Sequence, residues 1–226
     1  MEGLEASTAS HARPSLARSA MSIHYFLYRC PTCGHDPTTA TQRGARCESC
    51  GTTFEQGRAG SVLVRSSEGK AETASVDDLI QAIDHMGGPT TRAEDGSGAF
   101  SYEASVVASS ATSHQTVWWR GGVLGFFERI TDRREATLRL SGSEMILVCR
   151  DREPLVWGLE RIDAMQISSR AIQLNIRNAG LQQMEFLSDS PKRWEDLLRL
   201  ALGRFYALRG REVVEYQPKV VTRALS

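Results

Sequence analysis

The chain has 226 residues, of which 41% are hydrophobic and 24% are charged, and its 27 basic and 27 acidic residues give a formal net charge of zero. The length allows one or two domains with cores of their own, and the composition excludes a disordered chain as a whole. The balanced charge argues against a nucleic-acid partner, since dedicated nucleic-acid-binding domains are usually clearly basic. No apolar run is long enough for a transmembrane segment.

Residues 1–22 are rich in Ala, Ser and Arg and have no periodic apolar pattern, which predicts a disordered leader. Glu2 and Glu5 argue against an organellar transit peptide, and no apolar signal segment leads the chain. Met21 is an alternative start of translation. Residues 22–28 are apolar and aromatic, and we expect them to form a β-like strand that enters the next motif.

Two Cys-x-x-Cys pairs, separated by thirteen residues, dominate residues 23–56. A glycine closes each pair: the residues are Cys30, Cys33 and Gly34, then Cys47, Cys50 and Gly51. A tetrahedral Zn²⁺ takes four such sulfur donors at about 2.3 Å, and a glycine permits the positive φ of a sharp turn after each pair. The four cysteines are therefore the predicted ligands of a structural zinc ion, because four thiolates leave no open position for a catalytic water.

Other interpretations of these cysteines have less support. Two disulfides suit a secreted domain, but the chain shows no secretion signal, and its reduced cysteines point to the cytoplasm. A redox Cys-x-x-Cys normally occurs once, near a βαβ pattern, and rubredoxin-like iron sites typically have a longer loop. His24 and His35 flank the motif and are expected to be surface residues. The stretch resembles the zinc-ribbon family, which includes nucleic-acid factors, protein adaptors and structural caps.

Residues 57–99 contain a predicted strand, a helix and a linker. Residues 61–65 have the pattern of a short strand. We expect a helix from Ser75 to Met86, in which Ser75 is the N-cap and Asp78 occupies the third position. Gly87 and Gly88 are its expected left-handed C-cap. Residues 88–98 are rich in Gly, Thr and charge, which predicts a loop between domains.

Residues 117–130 are the most apolar stretch of the chain and allow two interpretations. Trp118, Trp119 and Arg120 are typical of an interfacial loop at an anionic membrane. The favoured alternative is a pair of strands with glycines at the bend and the aromatic residues packed inward.

Regular alternation follows from residue 136, and residues 172–177 have the period of a half-buried antiparallel strand. A helix capped by Ser190, with Pro191 at its first position, comes after the strands. We therefore predict, for residues 100–210, an antiparallel β-barrel or sandwich capped by a helix. The whole chain is mainly β with α, an α+β class. The tail, residues 211–226, is expected to add a strand or to lie along a partner.

This order of parts over residues 136–208 resembles the pleckstrin-homology superfamily, especially its GRAM-like members. The resemblance rests on the hairpin at Gly142, the turn at Pro154 and the strand at Phe186 before the helix of Trp194. It implies a domain that binds lipids, peptides or partner domains through loops at its open end. Family members that bind phosphoinositides often hold phosphate with a basic pair between the first two strands. Arg133 and Arg134 lie near that place, although a solvated turn is the favoured interpretation.

No nucleophile elbow, phosphate-binding loop, zinc-protease motif or Rossmann fingerprint is present, so we predict that the chain is not an enzyme. Cys149 is expected to be an inert core thiol. The predicted function is an adaptor whose main partner is a protein. Contact with anionic membranes, through Arg120, Arg133 and Arg134, is expected to be weak and sensitive to salt. The alternatives are a nucleic-acid-associated zinc-ribbon factor and an accessory subunit of a separately encoded enzyme.

Overall fold

The computed structural model describes residues 23–58, 60–87, 89, 101–168, 170–216 and 219–225. Within these ranges the chain forms two antiparallel sheets, one further β-hairpin and two α-helices. The predicted fold class, mainly β with α, is confirmed at this level. The predicted leader over residues 1–22 and nearly all of the predicted linker over residues 88–98 lie outside the described residues.

The first sheet is a five-stranded meander in which each strand pairs with the next along the chain. Its strands are β1 (Thr39–Ala40), β2 (Gly44–Arg46), β3 (Thr53–Gln56), β4 (Ser61–Arg65) and β5 (Ala71–Ser75). Helix α1 (Val76–His85) follows directly. Ser75 and Asp78 form a capping box in which each side chain accepts a hydrogen bond from the other residue's backbone N–H. Gly87 follows the helix with a φ of 87°, so the predicted helix and both of its ends are confirmed.

One apolar cluster joins this sheet to α1 and to the segment before the first cysteine. Its buried members are Ile23, Leu27, Tyr28, Cys30, Ala45, Cys47, Phe54, Val62, Val64, Leu79 and Ile83. The strand predicted for residues 22–28 is wrong, because the chain forms a 3₁₀ helix (Ile23–Tyr25) there. The turn lets Ile23 and Leu27 both enter the cluster, and this packing overrides local β propensity. Strands β4 and β5 and helix α1, which follow the predicted ribbon, share its sheet and its core.

The second sheet has seven antiparallel strands and curls into a half-barrel. Its strands are β6 (Ser101–Trp119), β7 (Gly122–Ser141), β8 (Glu144–Cys149), β9 (Leu155–Gly158), β10 (Ile162–Ile167), β11 (Ala171–Ile176) and β12 (Gly180–Phe186). In space the order is β10-β11-β12-β6-β7-β8-β9. Strand β6, the first of this sheet along the chain, therefore pairs with β12, the last. Cys149 is buried in the core of this sheet, as predicted.

Helix α2 (Pro191–Ala207) contributes one side of the second core. Its buried stripe contains Trp194, Leu197, Leu198, Ala201, Leu202 and Phe205. The ring of Trp194 lies 5.4 Å from that of Phe186 on β12, measured between centroids. Leu208 is 85% exposed because it lies just beyond the end of the helix at Ala207.

The tail forms a second hairpin, from β13 (Arg211–Glu215) and β14 (Val221–Ala224). The hydroxyl of Tyr216 donates a hydrogen bond to the carbonyl of Arg199 on α2, at 3.3 Å. The N–H of Val220 donates to the carbonyl of Asp163 on β10, at 2.9 Å. The described part of the tail therefore packs on the second sheet and α2, which we call the second domain; the first sheet with α1 is called the first domain.

Strands β6 and β7 extend well past the ends of their neighbours in the sheet, β12 and β8. β12 pairs with β6 only as far as Ser110, and β8 pairs with β7 only from Ala136. Residues 111–130, which we call the β-arm, pair only with one another among the described residues. Arg120 and Gly121, with φ of 49° and 81°, form the two-residue turn at its tip. The predicted strand pair with glycine at the bend is confirmed, whereas the inward packing predicted for its aromatic residues concerns side chains that lie outside the described part of the chain.

Candidate metal centre

The four cysteines of the two Cys-x-x-Cys knuckles meet at one point. The sulfur atoms of Cys30, Cys33, Cys47 and Cys50 all lie within 4.8 Å of one another, and all four thiols are free. The Sγ atoms of Cys30 and Cys50 are 3.7 Å apart, and those of Cys33 and Cys47 are 3.5 Å apart. Four sulfurs bound tetrahedrally at about 2.3 Å from one ion would lie about 3.8 Å from each other. The cluster therefore has the size needed to hold a single metal ion.

The two knuckles have the same backbone geometry. In each, the N–H of the first cysteine donates to the carbonyl five residues later, from Cys30 to His35 at 2.9 Å and from Cys47 to Thr52 at 2.8 Å. Gly34 and Gly51 donate back to the carbonyls of these cysteines at 2.8 and 2.9 Å. Their φ angles of 76° and 73° are in the left-handed region that the sequence predicted for them.

The thiols of the cluster differ in how readily they ionise. Burial raises the pKa of the Cys30 thiol to about 12. Burial also raises the pKa of Cys50, but hydrogen bonds with Thr52 and with neighbouring cysteines outweigh it and lower that pKa to about 6. Because cysteine binds metal as the thiolate, a cation is needed to offset the cost of ionising the buried members.

Histidine contributes nothing to this cluster. His35 is exposed, and His24 is half-buried with a pKa lowered by burial and by Arg170. Neither belongs to the group of potential ligands. Four thiolates complete the shell of a tetrahedral ion, so the arrangement is suited to cross-linking the chain and leaves no site for a reacting water.

The first knuckle also contacts the start of helix α2. Asp36, three residues after Cys33, pairs with the guanidinium of Arg193. The same guanidinium donates to the carbonyl of Tyr28 at 3.4 Å, and the Tyr28 hydroxyl donates to Asp196 at 2.9 Å. The segments on both sides of the first cysteine pair are therefore attached to the second domain.

Two basic side chains lie at the centre of this interface, which we call the α2 interface. Lys192 lies 2.7 Å from Asp196 on its own helix and 3.2 Å from Asp84 on α1. Arg193 also pairs with Asp189 at 3.0 Å. The side chains of Lys192 and Arg193 are only 9% and 10% exposed. Removal of one partner from such a buried network leaves an uncompensated charge.

Neither side of the α2 interface was predicted from the sequence. The sequence does contain one signal of such an interface. Lys192 and Arg193 occupy the first turn of a helix, where the helix dipole disfavours positive charge. A basic first turn predicts nearby acidic partners, but the sequence does not say that one of them is Asp36, 157 residues away.

The three arginines proposed as lipid contacts do not form one site. Arg120 lies at the tip of the β-arm, whereas Arg133 and Arg134 lie inside strand β7. The expected loop or turn at Arg133 and Arg134 is therefore wrong. Arg133 makes two hydrogen bonds of 2.8 Å to Glu185, and Arg134 pairs with Asp132. Neighbouring carboxylates thus already engage the basic pair.

Comparison of the chain with protein-family models and with curated proteins gave no match in either case. Among the helices of the described ranges, none is both long enough and apolar enough to span a membrane. We therefore infer function from the geometry of the chain itself.

Proposed function

We propose that the chain is a non-enzymatic adaptor that couples a structural zinc ribbon to a pleckstrin-homology-like domain, which binds a protein or a membrane lipid. One observation carries the proposal: the same knuckle supplies two members of the sulfur cluster and the residues that contact α2. A metal bound there would hold Tyr28 and Asp36 in place, and so would fix the two domains to each other.

Zinc is the proposed ion on the chemistry of the donors. Four thiolates in a tetrahedral arrangement favour zinc or iron. The short spacing between the knuckles favours zinc over a rubredoxin-like iron site. Reduced thiols in this number also favour a cytoplasmic location.

The order of elements supports the pleckstrin-homology-like assignment. Seven antiparallel strands curl into a half-barrel and are followed by one amphipathic helix that packs on their core. This is the order on which the sequence resemblance rests. Since Arg133 and Arg134 already pair with Glu185 and Asp132, a phosphate site at that basic pair is disfavoured.

Affinity capture from native lysate, with the metal in place, tests the adaptor function. We expect the full chain to retain a defined protein or lipid after nuclease treatment. Cys149→Ser is the matched control, because Cys149 lies outside the sulfur cluster. We expect this variant to retain the same partner and Cys33→Ser to lose it.

Two other results would favour the alternatives. Capture that disappears with nuclease would indicate the nucleic-acid-associated factor, in spite of the balanced charge. Co-purification with one enzyme whose activity requires this chain would indicate an accessory subunit. Equal capture by Cys33→Ser would show that the metal site does not control partner binding.

A further inference from the structure

We propose that the β-arm is a membrane-docking element whose tip inserts into the surface of an anionic lipid bilayer. The inference rests on the proposed function as a binding module and deepens it by naming the partner. It concerns residues 111–130 and does not involve the basic pair of β7.

The β-arm extends past the strands that flank it in the sheet. The neighbouring strands stop pairing at Ser110 and Ala136, so within the described ranges the arm continues as a ribbon of two strands. The nine residues from 111 to 119, eight of them paired with the opposite strand, correspond to about 30 Å at the rise of a β-strand. Thr116, Arg120 and Val123 are exposed, and Val123 is 51% exposed. The arm therefore reaches beyond the sheet.

Both strands of the β-arm are apolar in sequence near the tip. On one strand Val117, Trp118 and Trp119 are consecutive, and on the other the apolar positions are Val123, Leu124, Phe126 and Phe127. Consecutive positions of a strand belong to opposite faces, so both faces of the ribbon are apolar in sequence. A flat protein surface covers one face of a ribbon, whereas a bilayer surrounds an inserted tip on all sides.

The charge of the β-arm is suited to an anionic surface. From Ala104 to Phe127 the sequence contains no acidic residue, and Arg120 occupies the turn. The arm therefore presents no carboxylate to an anionic headgroup until Glu128. Tryptophan is enriched at the headgroup level of membranes, and a basic residue near the surface strengthens binding to anionic lipid. The tip from residue 117 to the turn spans about 10 Å, a depth typical of interfacial elements.

Sedimentation with vesicles of phosphatidylcholine, alone or mixed with phosphatidylserine, tests the proposal on the full metal-loaded chain. We expect the mixed vesicles to bind the chain more strongly, and part of this binding to persist at raised salt, because apolar insertion is not screened. The sequence alone predicted weak binding that raised salt abolishes, so the salt series separates the two expectations.

Two sets of variants assign the binding to the tip. Trp118→Ser with Trp119→Ser should weaken binding about tenfold or more, since each large apolar side chain withdrawn from water contributes about a factor of ten. Arg120→Gln should weaken binding to the mixed vesicles about fivefold. The matched control is Leu155→Ser with Val156→Ser, an exposed apolar pair on β9, which should bind as the original chain does.

A fluorescence measurement tests insertion with a variant whose tip stays apolar. Trp118→Phe with Trp119→Phe should still bind vesicles but should lose quenching by brominated lipid, because Trp157 and Trp194 are buried in the second core. Equal quenching in this variant would contradict insertion of the tip.

Three outcomes would overturn the proposal and leave the adaptor function standing. In the first, the chain binds no vesicle at any salt concentration. In the second, Trp118→Ser with Trp119→Ser binds as well as the original chain. In the third, the chain forms oligomers in solution that this double variant abolishes, which would make a second copy the partner of the arm. Loss of the adaptor function would show differently, as lysate capture that depends on nucleic acid.

Discussion

At the scale of single residues, the first knuckle takes part in two structures at once. Cys30 and Cys33 belong to the sulfur cluster, while Tyr28 and Asp36, only a few residues away, contact α2. A substitution in this short segment is therefore expected to act on metal binding and on the domain interface together.

The first prediction concerns the metal ligands. The purified chain should hold one zinc ion, and Cys33→Ser should lose it and unfold the first domain, because structural zinc contributes about 10–16 kcal/mol to folding in small zinc modules. Metal analysis and thermal denaturation measure both effects, and Cys149→Ser should retain the ion. A chain that contains no metal, or one equivalent of iron, would contradict the zinc assignment.

The second prediction compares a buried and an exposed arginine. Arg193→Ala should reduce the free energy of unfolding by about 3–5 kcal/mol, because Asp36 and Asp189 would remain buried without their cation. Arg133→Ala should cost only about 0–1 kcal/mol, since the Arg133 side chain is 62% exposed in its pair with Glu185. Denaturant titration of both variants measures the difference, and equal effects would show that the α2 interface does not contribute as inferred.

At the scale of elements, helix α2 begins with basic residues that its own dipole disfavours. The carboxylates of both domains compensate for this, so the helix end depends on tertiary contacts. Strand β2 in the first domain also depends on a tertiary contact, its close approach to β3. Glycine at position 44 permits this approach, since a Cβ there would lie 1.9 Å from the carbonyl oxygen of Phe54.

The third prediction is a loss of stability at alkaline pH through Lys192. Burial lowers the pKa of Lys192, but the carboxylates of Asp196, Glu195 and Asp84 raise it by more. With the folded pKa above the unfolded one, the stabilisation is complete below about pH 10.4 and is lost as the pH rises through the folded pKa.

Melting temperature measured against pH tests this expectation. It should fall more steeply above about pH 10.4 in the original chain than in Lys192→Met, which has no amine to titrate. Burial raises the pKa of Tyr102 as well, so some slope should remain in the variant. Identical slopes would show that Lys192 does not contribute to the pH dependence.

The fourth prediction concerns Gly44. Gly44→Ala should destabilise the first domain by about 1–3 kcal/mol, because the new methyl group meets backbone that cannot move without disturbing the pairing of β2 with β3. Gly142→Ala is the control, since nothing lies within 4 Å of a Cβ there, and it should change stability by less than about 0.5 kcal/mol. Thermal denaturation compares them, and unchanged stability of Gly44→Ala would contradict the close approach.

At the scale of the whole molecule, the two domains have separate apolar clusters but share the α2 interface. Metal bound by the first domain is therefore expected to act on the second domain mainly through the first turn of α2. The core of the half-barrel, which contains no member of the sulfur cluster, should be affected much less.

The fifth prediction is the response to a chelator, followed by hydrogen exchange. Metal removal should increase exchange over residues 23–87 and at the first turn of α2, while strands β8, β11 and β12 should stay protected. This pattern follows from the division of the core into two clusters. Loss of protection throughout the second sheet would show instead that the chain unfolds as one unit.

Features whose chemistry is local could be predicted from the order of the residues. The spacing of Cys30, Cys33, Cys47 and Cys50 predicted one cluster, and the glycine after each pair predicted its backbone turn. The caps of α1 and α2 were also predictable, because a cap is formed by residues within one turn of the helix. Alternation predicted the strands of the half-barrel in outline.

Features that depend on distant neighbours could not be predicted in this way, because they arise when the chain folds. Residues 23–25 form a 3₁₀ helix because Ile23 and Leu27 pack on the first sheet, and the β-arm exists because β8 and β12 pair with only part of β7 and β6. The pairing of Arg193 with Asp36 joins residues 157 positions apart. A charged residue is the same in sequence whether it is solvated or buried, and only the fold determines which opposite charge lies beside it.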